Sequence, residues 1–279
     1  MIKSYCKINL SLRIIKKLKS GFHNIQTNTF LLNFYDEINI KKIKSKKDII
    51  LFKGKFKKLV NNSKNSILSI VSILRKEKLI KKDCFFKIII KKNIPIYSGL
   101  GGGTSNAYYL MKHFLKKEVS KKIKEKCEKE IGTDLPLFYN TQTFQNSLKK
   151  VKKYQKKFHF FFIIVYPYFK CSTQDIYSKV KKYSIPTKLD FSKKMSDKIF
   201  IGLLEKQQND LQALAIKKFE PINKIITYIS TLKGCHISRM TGSGSACFGM
   251  FKSQKLAKLG LKNIKKEFPK YWCEVTKTI

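Results

Sequence analysis

The chain has 279 residues, 43% of them hydrophobic and 21 of them phenylalanine, enough for one large or two ordinary domains with a full core. A formal net charge of +42 would suit a nucleic-acid binder, yet only three of the 60 basic residues are arginine (Arg13, Arg75, Arg239), whose planar fork base readers lean on, so the lysines read as codon bias and a solvated surface with no specific nucleic-acid partner. Seven cysteines, an odd number with no C-x-x-C pair, argue against a disulfide framework and a zinc site and suit a reducing cytoplasm.

In chain order, residues 5–13 alternate apolar and polar (Ile8, Leu10, Leu12), as a half-buried strand does. No signal-like apolar region precedes them, so a cytoplasmic location is expected. Thr29 to Phe34 and Ile38 to Ile43 predict two more strands joined by a turn at Asp36-Glu37. Asn65 to Leu79 carries Ile67, Leu68, Val71 and Leu74 at helical spacing. Phe85 to Ile90 predicts a strand, followed by a glycine run and a helix reaching Leu115. A lysine-rich helix is expected over Ser120 to Ile131, ending in Gly132-Thr133-Asp134-Leu135-Pro136; Gly132 suits a C-cap and the proline stops any helix, so Asp134 stands on a tight turn. Lys149 to Lys157 predicts a solvated loop or fraying strand, and 158–166 a buried strand too short to cross a bilayer. A polar loop with Ser172 and Thr173 follows, then helices over Lys198 to Phe219 and Ile222 to Leu232. A second glycine turn, Met240 to Phe248, enters a strand at Cys247 to Phe251; a helix (Ser253 to Phe268) and a strand (Trp272 to Lys277) close the chain. The order predicts an α+β protein of two domains, 1–155 and 156–279.

Four of the 13 glycines fall at positions 99, 101, 102 and 103. Strand, glycine turn, helix start is how a backbone is shaped to hold phosphate: glycine permits φ > 0, several N–H groups converge on an anion, and the helix adds its positive end. Thr104 and Ser105 add hydroxyls that can cap the helix or reach a phosphate or metal. No G-x-x-x-x-G-K-[ST] occurs, and Thr104 stands where G-x-G-x-x-G needs glycine, so neither a Walker loop nor a dinucleotide fold is expected.

Five collinear segments resemble the GHMP kinases: Cys6-Lys7-Ile8-Asn9-Leu10, Gly21-Phe22-His23-Asn24-Ile25-Gln26-Thr27, the run from Pro95 to Ala107, Gly132 to Pro136, and Thr241-Gly242-Ser243-Gly244. The resemblance covers nearly the whole chain. It implies that family's two-domain α+β fold, with a ribosomal protein S5 domain 2-like N-terminal domain and a ferredoxin-like C-terminal domain. It implies an ATP- and magnesium-dependent kinase acting on a small molecule, monomeric or a weak homodimer, with no membrane partner. ATP would lie on Asn65, Pro95, Ile96, Tyr97, Ser98, Gly99, Leu100, Gly101, Gly102, Gly103, Thr104 and Ser105, with magnesium held mainly by its phosphates. Asp134 would be the general base and Lys7 its cationic partner. The match is best to the branch whose acceptor carries cytidine diphosphate, implying Asn9, Phe22, His23, Thr173 and Tyr177 as acceptor contacts. Another small-molecule kinase of the family, or a basic nucleic-acid binder, is the alternative. The chain departs from the family pattern at Thr104 (usually serine), Phe22 (usually tyrosine), Tyr108 (usually small) and 140–153, which lacks the family's glycines.

Overall fold

A computed structural model describes residues 1–63, 65–115 and 121–279. Two compact units form, and neither is a single stretch of chain. One gathers Met1–Cys6, Phe34–Ile96 and Gly101–Tyr139; the other gathers Lys7–Asn33, Tyr97–Leu100 and Asn140–Ile279. Two long strands, β1 (Ile2–Lys17) and β2 (His23–Ile43), contribute to both. These are units of packing; the expected division at 155 concerns the sequence and stays a proposal.

In the first unit, Glu37–Ile43 of β2 pairs antiparallel with β4 (Phe85–Lys91), which pairs in parallel with β3 (Ile49–Lys53). Three helices complete it: α1 (Ser66–Lys76), α2 (Gly102–Phe114) and α3 (Lys121–Ile131). Their apolar residues, Ile67, Ile70, Leu74, Leu110 and Met111 among them, share one core with Ile38, Ile88 and Ile90 of the strands. The expected turn at Asp36-Glu37 is absent: β2 runs straight through it. Asp36 is fully buried, and its carboxylate accepts from Lys92 Nζ, Asn93 N, Ile94 N and Asn106 Nδ2. An acid held by that many donors has no need of water, so an acidic pair that reads as a turn sits inside a strand. Ser120, the expected first residue of the lysine-rich helix, lies outside the described residues; α3 ends at Ile131 as expected.

In the second unit, Thr27–Phe30 of β2 pairs with β5 (Gln142–Ser147), which pairs with β6 (Lys150–Lys153). The hairpin therefore forms without the family's glycines. Four antiparallel strands make a sheet in the order β10 (Trp272–Lys277), β7 (Phe161–Tyr166), β9 (Cys247–Phe251), β8 (Cys235–Met240). Helices α7 (Pro221–Ser230) and α8 (Gln254–Glu267) bury Ile222, Ile225, Ile229, Ala257 and Ile264 against Ile163, Val165 and Phe251. Near β2, Phe30, Phe158 and Phe200 stack, the last two with ring centroids 4.1 Å apart.

The expected helix from 198 to 219 is two helices, α5 (Asp197–Glu205) and α6 (Gln212–Lys218). Between them the backbone bonds to β1: Leu12 N donates to Gln208 O and Asp210 N to Leu12 O, each at 2.9 Å. Asn209 donates to the carbonyls of Met240 and Gly242 and accepts from Leu211 N. Tertiary hydrogen bonding there outcompetes helix propensity. The polar loop at 172–173 starts a short helix, α4 (Thr173–Ser178), capped by Ser172. Among the described residues, no helix is long and apolar enough to cross a membrane.

Candidate active site

Close contacts at Gly99 and Gly102 shape the glycine run. Gly99 has φ +78°, and a Cβ there would stand 2.1 Å from Thr241 O, a backbone atom that cannot swing away. Gly101 has φ +70° and is the N-cap of α2, so the helix begins inside the run, at Gly102. The amides of Gly102, Gly103 and Thr104 fall in the first turn, where no intrahelical acceptor exists, and present N–H groups at the positive end of a 13-residue helix. The first half of the run is stitched to the second glycine turn: Ser245 N donates to Tyr97 O (3.3 Å) and Ala246 N to Ser98 O (3.1 Å). Gly242, at φ +55°, packs on Gly99 O.

In the first unit, Ser66 Oγ donates to Gly103 O at 2.7 Å, which sets the start of α1 beside the glycine run. Asn65 lies one residue away, but its side chain caps α1: Oδ1 accepts from Ile67 N and Leu68 N, both at 3.1 Å, and Nδ2 donates to Asn61 O. Ser105 is fully buried; its hydroxyl donates to Tyr5 O (2.6 Å) and shares a hydrogen bond with Ser4 Oγ (2.8 Å). Thr104 is partly exposed. Under the loop lies the Asp36–Lys92 ion pair, with Lys92 3% and Asp36 0% exposed, joined through Asp36 by Asn106 of α2. Asn106 Oδ1 is buried with no hydrogen-bond partner among the described residues. The sequence reading missed this support because its acid was assigned to a turn.

Asp134 stands where the sequence placed it. Gly132, at φ +136°, ends the turn after α3, and Asp134 heads a 3-10 turn over Leu135–Phe138 in which all four residues are buried. Leu135 N donates to Gly132 O and Leu137 N to Asp134 O, each at 3.1 Å. A partly exposed carboxylate is thus fixed by an apolar anchor directly after it.

In the second unit, β1 departs from the expected half-buried pattern: Lys7, Asn9 and Ser11 are only 2–3% exposed. Lys7 Nζ donates to Asn9 Oδ1. Asn9 Nδ2 donates to Thr27 Oγ1 (2.8 Å) and Thr29 Oγ1 (3.3 Å), and Asn9 N donates to Thr241 Oγ1 (2.9 Å). Lys7 N donates to Leu100 O at 3.0 Å, tying β1 to the glycine run. Of the three threonines that hold Asn9, Thr27 and Thr241 belong to the segments quoted from sequence, but none was given a role there, since a hydroxyl carries no signal of its own.

His23 and Tyr177 come together, with ring centroids 5.2 Å apart at 35°. Desolvation, and then the charge of Lys17, hold the imidazole's pKa below its ordinary 6.5. At neutral pH His23 therefore offers one N–H donor and one acceptor, the pairing that a cytosine edge needs. Phe22 is 48% exposed. Thr173 Oγ1 shares a 3.0 Å hydrogen bond with Ser243 Oγ, so the second glycine turn also fixes the start of α4.

Known proteins are similar to this chain over its length. The family description "GHMP kinases C terminal" matches residues 197–270. A 4-diphosphocytidyl-2-C-methyl-D-erythritol kinase of Pelagibacter ubique (strain HTCC1062) is 34% identical over 100% of this chain and 98% of its own length. A protein of the same name from Wolbachia sp. subsp. Drosophila simulans (strain wRi) is 30% identical over 97% of each chain. Among solved structures, a 4-(cytidine 5'-diphospho)-2C-methyl-D-erythritol kinase superposes with a TM-score of 0.74 at 19% identity, covering 99% of this chain and 98% of its own. The mevalonate kinase of Methanococcus jannaschii does so at 0.64 and 19%, covering 100% and 98%. The expected α+β GHMP kinase fold is therefore the one found.

Proposed function

The chain belongs to the 4-diphosphocytidyl-2-C-methyl-D-erythritol kinases of the GHMP kinase family, and from that membership we propose that it phosphorylates the 2-hydroxyl of 4-diphosphocytidyl-2-C-methyl-D-erythritol, a step of non-mevalonate isoprenoid precursor synthesis. The observation that carries the acceptor assignment is His23, near neutral and packed on Tyr177, beside exposed Phe22. A donor–acceptor imidazole among aromatic rings suits a pyrimidine, and a kinase of mevalonate or a simple sugar has no such group to bind.

ATP, the donor in this family, suits the glycine run: a Cβ at Gly99 or Gly102 would meet Thr241 O or Ile94, and the first amides of α2 have no intrahelical acceptor. When bound, ATP supplies the phosphoryl group and magnesium spreads its charge. Thr104, partly exposed, would add a hydroxyl to phosphate or magnesium. Ser105 acts through its place in the fold, since its hydroxyl is committed to Ser4 and Tyr5. Asn65 contributes to the base end of ATP chiefly by capping α1. Magnesium would be held mainly by the ATP phosphates.

Asp134 accepts the proton of the acceptor's 2-hydroxyl as the oxygen turns nucleophilic. Lys7, fixed by Asn9, favours the developing anion. Asp134→Asn and Lys7→Met should each slow turnover strongly, and wild-type turnover in either variant would remove that residue from the reaction. Phosphorus NMR of the product tests the reaction itself. A new phosphomonoester on C2 with the diphosphate intact is expected, and labelling at another oxygen would refute the assignment.

A further inference from the structure

His23 has a second aromatic neighbour that the acceptor assignment does not use. The ring of Tyr183 lies 6.5 Å from that of His23, tilted 39°. Tyr183 is 46% exposed, so its ring does little for the core. The backbone around it is nevertheless fixed. Ser184 N donates to Ile14 O (2.8 Å), Ser184 Oγ donates to Asp210 Oδ2 (2.7 Å), and Arg13 Nη1 donates to Ile185 O (3.1 Å). Thr187 N donates to Gln26 Oε1 at 2.8 Å. These bonds attach the segment to β1 and β2, the latter carrying His23 itself. An exposed aromatic side chain on a fixed backbone, with only two torsions to freeze, is a preorganised contact for a flat ligand.

We propose that Tyr183 is a specificity-determining contact for the cytidine group of the acceptor, a further ring beside Phe22 and Tyr177 around His23. This rests on the acceptor reading given above.

The test is binding of cytidine 5'-monophosphate by calorimetry to the full-length protein and to Tyr183→Ala, Tyr183→Phe and His23→Ala, with steady-state kinetics beside it. Tyr183→Ala should weaken binding roughly tenfold, the order expected when one base–aromatic contact is lost. It should raise the acceptor KM while kcat and the ATP KM stay within about twofold, a split that a merely structural role would not give. Tyr183→Phe separates ring from hydroxyl: wild-type binding assigns the effect to the ring, alanine-like binding to the phenol, and either supports the contact. Wild-type affinity in Tyr183→Ala with loss in His23→Ala overturns the Tyr183 contact and leaves the cytidine reading intact. Wild-type affinity in His23→Ala, or no binding by the unaltered protein, overturns the cytidine reading itself.

Discussion

In the proposed function, His23 is the side chain whose protonation limits acceptor binding. Its imidazole titrates below 6.5, because burial and then Lys17 disfavour the cation. Protonation replaces its acceptor nitrogen with a second donor. The acceptor KM should therefore rise as pH falls below that value, while the ATP KM stays flat; a KM unchanged from about pH 8 to about pH 5 would contradict this role. Asp134→Ala should lose turnover by about a hundredfold or more, the usual scale for a general base, yet keep nucleotide affinity, as fluorescent-nucleotide titration would show. The turn that carries Asp134 was legible because Gly132 and Pro136 punctuate it. Asp36, Thr27, Thr29 and Thr241 were not, since their work is to hold other groups and only packing reveals it.

At the scale of elements, the glycine run was read well because glycine is demanded by backbone geometry. Gly99→Ala should cost about 1–3 kcal/mol in chemical denaturation and weaken ATP binding, because a Cβ would press on Thr241 O at φ +78°. Gly103→Ala should be far milder, since its Cβ would meet only Ser66 Oγ at 3.4 Å. Equal losses at both positions would contradict this account of the loop. Regular amphipathic elements such as α1, α7 and α8 were also visible from their spacing. The β5–β6 hairpin was not, because Gln142–Ser147 is largely polar and lacks a glycine turn. The break between α5 and α6 was hidden for a different reason: Asn209 and its neighbours leave the helix to bond with β1 and the second glycine turn, and no local signal announces a distant partner.

For the whole molecule, 60 basic residues face 18 acidic ones, so most lysines have no acid to pair with. Even Asp175 is shared between Lys218 and Lys179. Self-repulsion at this charge predicts a thermal midpoint that rises between about 0.05 and about 0.5 M salt, while nucleic-acid binding collapses by about 0.2 M. A midpoint that falls with salt, or salt-resistant and sequence-dependent nucleic-acid binding, would contradict a solvated lysine surface. The measurement that bears most directly on the central claim is coupled ADP release with four acceptors offered separately: 4-diphosphocytidyl-2-C-methyl-D-erythritol, galactose, homoserine and mevalonate. Turnover confined to the cytidine-bearing acceptor is the predicted result; turnover of any of the other three without it would contradict the account.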